Sequence, residues 1–102
     1  RLFGLKTCDA CRKALKEIDN IEFVDVRSSG VPREVLKQAL GDFEGKLVNT
    51  RSTTWRNLDA ETRAMPALDL LVEHPTLMKR PLIEKDNRLY LGWGADVQSA
   101  LG

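Results

Sequence analysis

The sequence predicts a mixed α/β fold on a four-stranded sheet, and three observations carry that expectation. A strand-like run, Leu2-Phe3-Gly4-Leu5, leads into an amphipathic helix and then into the β-branched run Ile21 to Val26, which makes a β-α-β unit. Near the end, Leu82 to Glu84 and Leu89 to Leu91 flank a polar turn, the pattern of a hairpin, and a short helical stretch follows. Between these, residues 28 to 79 carry mostly helical periodicity.

Each element has its own local reason. In the first helix Ala14, Leu15 and Ile18 are in phase with Cys11, while Lys13, Lys16 and Glu17 lie elsewhere. Ile21 to Val26 forms a second strand, parallel to the first and joined to it by a right-handed crossover. Ser28-Ser29-Gly30 breaks the pattern. Pro32 opens a helix through Leu40 with Val35, Leu36, Ala39 and Leu40 inward and Gly41 as terminator. Asp42 to Leu58 is less regular. Ala60 to Glu73 is helical in composition, but Pro66 begins a new helix or kinks the old one. Leu68, Leu71 and Val72 supply its buried face, and His74-Pro75 stops it. Lys85-Asp86-Asn87-Arg88 is the hairpin turn, Gly92-Trp93-Gly94 ends the last strand, and Ala95 to Leu101 is the closing helix. The order β-α-β, helical middle, β-β-α is that of a thioredoxin-like fold with a mostly helical insertion at about 28–79, in a single domain over 1–102 with helices on both sides of the sheet.

Composition narrows the function classes. A chain of 102 residues supports one modest core without metal or disulfide staples. Sixteen basic against fifteen acidic residues leave a net charge of +1, so no global field favours direct DNA binding or an anionic membrane surface. No apolar run approaches the roughly 20 residues of a membrane span. No signal peptide is visible, although the chain starts at Arg1 rather than methionine. Two cysteines in one motif make the cytoplasm the expected compartment.

That motif is Cys8-Asp9-Ala10-Cys11, two thiols one helical turn apart where a strand becomes a helix. At such a place unpaired amide N–H groups and the helix dipole favour a thiolate over a thiol, which makes Cys8 a candidate nucleophile. Cys11, one turn further in and better shielded, suits the resolution of a mixed disulfide formed at Cys8. A zinc site needs about four ligands, and these cysteines with the distant His74 supply at most three, so no metal is expected. A structural disulfide over so small a loop stabilises little. His74, before Pro75, reads as a helix stop rather than a base, and Trp55 and Trp93 read as core before ligand groove. Lys6 and Arg12 flank Cys8 and add positive potential there.

The stretches Lys6-Thr7-Cys8-Asp9-Ala10-Cys11-Arg12-Lys13-Ala14, Leu47-Val48-Asn49-Thr50-Arg51, Thr53-Thr54-Trp55-Arg56 and His74-Pro75-Thr76-Leu77-Met78-Lys79-Arg80-Pro81 resemble the arsenate reductase (ArsC) family from end to end. That family includes YffB-type glutathione-dependent reductase-like proteins and Spx-type transcription regulators. The resemblance implies that Cys8 is the nucleophile, that Arg51 is an active-site arginine, and that Arg80 precedes a cis-proline, Pro81. Guanidinium forks suit oxyanions and carboxylates, and the same charges lower the pKa of a nearby thiol, so one arrangement binds substrate and activates sulfur. Arsenate-reducing members carry a third arginine near the C-terminal end of the sheet. Here that region reads Leu91-Gly92-Trp93-Gly94, without arginine.

Two functions are therefore expected, the first favoured. One is a monomeric thiol-dependent reductase with Cys8 and Cys11 catalytic and Arg51, Arg80, Pro81 and Arg12 binding a small oxyanion or thiol substrate. It would hold no tightly bound cofactor and would use glutathione as co-substrate, or glutaredoxin or thioredoxin as partner. The other is an Spx-like regulator that docks on RNA polymerase when the Cys8–Cys11 disulfide forms.

Overall fold

The first strand, β1 (Leu2–Gly4), is fully buried, and that explains its unbroken apolar sequence: it is a central strand covered on both faces. The computed structural model of the chain describes residues 1–101. A turn closed by the Cys8 N–H donating to the Leu5 carbonyl (3.1 Å) delivers the chain into α1 (Asp9–Glu17). Ala, Leu, Lys and Glu favour this helix, while Asp9 in its first turn and Lys16 in its last complement the dipole. Next come β2 (Phe23–Asp25) and a short helix, α2 (Val26–Ser29). The Ser28-Ser29 break is thus helical. The Asp25 carboxylate accepts from the N–H groups of Arg27 (2.8 Å) and Ser28 (3.2 Å) and so satisfies the first turn. The break falls at Gly30, whose φ is +68°.

The helix opened by Pro32, α3 (Arg33–Phe43), runs past Gly41. One helical glycine costs only about 1 kcal/mol, too little to end a helix whose next turn still closes. It stops where Glu44, at φ 54°, donates its N–H to the Leu40 carbonyl. A 3₁₀ turn (Glu44–Leu47) leads to α4 (Thr53–Arg56), capped by the Ser52 hydroxyl accepting from Trp55 N–H at 3.1 Å. α5 (Ala60–Arg63) is capped by Asp59, and Pro66 starts a separate helix, α6 (Ala67–Glu73). In α6 the buried residues are Leu70 and Leu71. Leu68 is half-buried and Val72, expected inside, is 43% exposed. Adjacent apolar positions allow several faces, and packing against α3, with an Arg33–Asp69 ion pair at 3.2 Å, selects one. His74 caps the end of α6, donating its N–H to Leu70 (2.8 Å), before a second 3₁₀ turn (Pro75–Leu77).

The chain then enters β3 (Leu82–Lys85) and β4 (Arg88–Leu91), and ends in α7 (Ala95–Leu101). The hairpin loop is two residues, Asp86 and Asn87, both at positive φ (53° and 65°). This turn type matches strand twist and lets Lys85 and Arg88 join the ladder.

The sheet order is β2-β1-β3-β4, with β1 parallel to β2 and antiparallel to β3. This mixed sheet with its helices is the thioredoxin-like α/β fold. Two compact units are distinguishable: Arg1–Ser29 with the segment from Arg80 onward, which holds the sheet, and Gly30–Lys79, which is helical. In the first, Leu2 pairs with both Phe23 and Ile83, and Ile83 pairs with Tyr90. These four share one face of the sheet. On it pack Cys11, Ala14 and Ile18 from α1 and Val97 from α7. Burying such side chains supplies about 25 cal/mol per Å² of apolar surface, the main term holding α1 in place. In the second unit an isolated bridge joins Val48 to Met78, flanked by Asn49 N–H to Leu77 and Lys79 N–H to Leu47 (both 2.8 Å).

Candidate functional site

Cys8 is the N-cap residue of α1, with extended backbone angles (φ −85°, ψ 122°), and its carbonyl accepts the first helical bond from Arg12 N–H at 3.0 Å. A serine or aspartate there would cap the helix through its oxygen. The sulfur closes no such capping bond. It faces the first-turn amides of Ala10 and Cys11 as oriented dipoles instead. Burial works to raise the Cys8 thiol. The Cys11 N–H, the Cys11 thiol, the Ala10 N–H and the positive charge of Arg80 together outweigh burial, and the net shift is below the ordinary cysteine value.

Cys11 is the opposite case. It is fully buried in the cluster of Leu2, Ala14, Ile18, Ile83 and Val97. Burial pushes its thiol up to about 11; the Leu5 N–H and Arg80 work against this, and negative charge on Cys8 adds to it. Both cysteines are free. One proton therefore has a preferred home: Cys11 keeps it and points it at the Cys8 sulfur, which bears the charge. That leaves one half-buried sulfur that ionises more readily and one protonated thiol beside it.

The other expected site residues separate into groups. Arg80 acts electrostatically on both sulfurs, and its peptide bond to the buried Pro81 is cis. The Pro81 carbonyl accepts from Gly92 N–H at 2.8 Å, which anchors it to the end of β4. The Arg12 guanidinium is ion-paired with Asp9 on the exposed side of α1, and both line an open depression of about 270 Å³ with Lys13 and Lys16. Arg12 is not among the groups acting on Cys8. The i,i+3 spacing of Asp9 and Arg12 was a readable signal for that pairing.

Arg51 belongs to the helical unit, in the turn before α4. Its N–H donates to Asn49 Oδ1 (3.1 Å), its carbonyl accepts from the Arg56 guanidinium (3.3 Å), and the residue is exposed. Trp55 lies in the same unit, half-buried, under the Arg63 guanidinium 5.2 Å from the ring centroid. Trp93 is half-buried against the α1–α7 cluster.

Gly4 also borders the pair, although its residue type carries no chemistry. Its position in β1, two residues after Leu2, puts it on the face that carries α1, and a Cβ there would lie 2.4 Å from Cys11 Sγ. A lone glycine inside a buried strand was the available signal, because it marks close approach of a neighbour to the backbone.

Among the described residues no helix is long and apolar enough to cross a membrane. The ArsC family profile matches residues 3–100. An uncharacterized protein of Haemophilus influenzae is 43% identical over 101 residues, spanning 90% of this chain and 89% of that protein. The global transcriptional regulator Spx of Bacillus subtilis is 31% identical over 105 residues, spanning 93% of this chain and 80% of the regulator. Among solved structures, a YffB protein superposes with a TM-score of 0.87 at 29% identity, covering 98% of this chain and 96% of that one.

Proposed function

The chain belongs to the ArsC family, and from that premise we propose that it is a cytosolic thiol-dependent reductase with Cys8 as its nucleophile. The observation that carries this reading is the opposed setting of the two sulfurs: Cys8 lowered at the helix start, Cys11 raised in the core. The sulfur that ionises more readily attacks; a protonated neighbour one turn away waits to resolve.

In the cycle, the Cys8 thiolate attacks an oxidised sulfur or oxyanion centre and forms a covalent adduct as the leaving group departs. With a disulfide substrate RSSR the products are Cys8–S–SR and RS⁻. Glutathione then attacks the outer sulfur of the adduct and releases the Cys8 thiolate with GSSR, or Cys11 attacks the Cys8 sulfur, expels the second RS⁻ and leaves a Cys8–Cys11 disulfide that two glutathione thiols reduce. Arg80, which already acts on the site, holds the anionic part of the substrate, and Pro81 shapes the adjoining backbone. Arg51 takes its proposed anion-binding role from the motif match alone. Arg12 contributes through the rim of the helix, with its charge shared with Asp9. Lacking an arginine at Leu91-Gly92-Trp93-Gly94, the chain is better suited to a glutathione-linked thiol than to arsenate. No bound cofactor is needed; glutathione, glutaredoxin or thioredoxin supplies the electrons.

The test is turnover of a glutathione mixed disulfide by wild type and Cys8→Ser. The expected loss is about 10³-fold or more, as for removal of other covalent nucleophiles. Turnover that survives the substitution overturns the reading.

A second reading has its own support in the Spx relative and in the paired cysteines. In it, the oxidised Cys8–Cys11 form binds RNA polymerase, and the protein turns nothing over. Pull-down of polymerase by oxidised but not reduced protein is its expected signature, and equal retention of both forms counts against it.

A further inference from the structure

We infer that Gly4 is a positioning residue for the thiol pair: the side chain it lacks is the seat of the Cys11 sulfur, and that seat sets how Cys11 meets Cys8. The inference deepens the thiol reading above and rests on it. Gly4 is buried in the central strand, in register with Asp25 of β2, on the sheet face that α1 covers. A Cβ built on it would stand 2.4 Å from Cys11 Sγ and 3.3 Å from Cys11 Cβ. Carbon and sulfur do not approach so closely without bonding, so any side chain at position 4 evicts the sulfur. The φ of Gly4 is not positive, so alanine could adopt its backbone. Space is what glycine supplies here, not conformational freedom.

The consequence reaches the chemistry because the sulfur has few other places to go. Helical cysteine avoids one of its three χ1 rotamers, and the cluster around Cys11 is closed by Leu2, Ala14 and Ile83. An evicted sulfur must leave the position in which it meets the Leu5 N–H and the Cys8 sulfur, or α1 must lift from the sheet. Either way, the contact by which the Cys11 thiol meets the Cys8 sulfur changes.

The step concerned is balanced within the dithiol. The Cys8 thiolate attacks a disulfide RSSR and releases RS⁻. Cys11 loses its proton to solvent and attacks the Cys8 sulfur, releasing the second RS⁻ as the Cys8–Cys11 disulfide forms. Two electrons leave the protein and reduce RSSR to two thiolates. Seating of the Cys11 sulfur governs the second step directly, and reaches the first only through the contact of the Cys11 thiol with the Cys8 sulfur.

The experiment compares wild type, Gly4→Ala, Cys11→Ala and the double variant Gly4→Ala/Cys11→Ala, with oxidised glutathione as the probe. The readouts are the rate of Cys8–Cys11 disulfide closure and the pH midpoint of Cys8 alkylation. In Gly4→Ala, closure slows by about tenfold or more, as misplacing a reacting group does, and the Cys8 midpoint rises. In the Cys11→Ala background the same Gly4→Ala change leaves the Cys8 midpoint where Cys11→Ala alone puts it, because the sulfur that needed the seat is gone. If Gly4→Ala fails to fold while the double variant folds, the clash is with the sulfur and the inference stands. Wild-type closure and midpoint in Gly4→Ala overturn it, as do equal Gly4→Ala effects in both backgrounds or loss of folding in both. Closure needs only oxidised glutathione as oxidant and the midpoint only an alkylating agent, so absence of catalytic turnover leaves the outcome unaffected.

Discussion

Cys11 lies one helical turn inside Cys8 with its thiol directed at the Cys8 sulfur, yet the two residues have opposite surroundings. One sits half-buried at an N-cap among amide N–H groups; the other is enclosed by aliphatic side chains of the sheet and two helices. A single turn of helix is enough to separate them because the dipole field is strongest at the terminus and burial deepens inward. The same separation makes the pair asymmetric before any partner arrives.

Alkylation against pH should resolve that asymmetry. At pH 8 iodoacetamide is expected to label Cys8 and leave Cys11 unmodified, with Cys11 reacting only near its raised value of about 11. Mass spectrometry of the Cys8–Cys11 peptide reads both sites. Equal labelling of the two at pH 8 contradicts the opposed shifts.

The linkage of those shifts to folding has opposite signs. Cys8 ionises more readily folded than unfolded, so its contribution is present above the unfolded value and is lost as pH falls through the folded one. Cys11 stays protonated in the fold to about 11 against an ordinary value of 9.0, so stability drains as pH rises between those values. Two pH intervals at 1.36 kcal/mol each bring the Cys11 loss to about 3 kcal/mol. Denaturant unfolding at pH 9 and 11 should therefore show a steeper alkaline decline in wild type than in Cys11→Ala. Parallel declines would falsify the burial account of Cys11.

Arg80→Met keeps the hydrocarbon stem and removes the charge. The Cys8 alkylation midpoint should move up, because the guanidinium is one of the groups holding the thiolate. With an anionic substrate, kcat/KM should fall by about 10- to 100-fold, the value of one or two charge-assisted bonds. An unchanged midpoint removes Arg80 from the site.

The face chosen by α6 predicts a contrast between neighbours. Leu71→Ala opens a cavity at a 1% exposed position and should cost about 2 to 5 kcal/mol. Val72→Ala, at a position open to solvent, should stay within about 0.5 kcal/mol. Urea denaturation of the two variants decides it, and similar costs would mean that α6 is rotated.

The hairpin offers a stabilising change. Asn87 holds φ 65° after Asp86 at 53°, angles that glycine adopts without a Cβ penalty. Asn87→Gly should raise stability by about 0.5 kcal/mol, and Asn87→Val should lower it by about 1 to 2 kcal/mol. A destabilised glycine variant would show that Asn87 makes a contact outweighing its backbone cost.

Local signals were the legible ones. The CxxC at a strand-to-helix junction, the Pro66 restart and the Asp86-Asn87 turn each depend on neighbours a few residues away, and each is found where the residues suggest. Gly41 misled because a glycine ends a helix only when the next turn lacks partners, and here Glu44 closes that turn on Leu40. Ser28-Ser29 misled because Asp25, just upstream, caps a helical turn there.

By itself, then, the chain determined the order of its strands and longer helices and the place of the CxxC pair at a helix start, since periodicity, turn chemistry and capping act over one or two turns. Tertiary structure alone decided which leucines of α6 turn inward, that the charge of Arg80 acts on a thiol far away in sequence, and that Cys11 rests where Gly4 has no side chain. Those outcomes arise from surfaces meeting across the sheet, where residues distant along the chain exclude one another's volume and feel one another's charge.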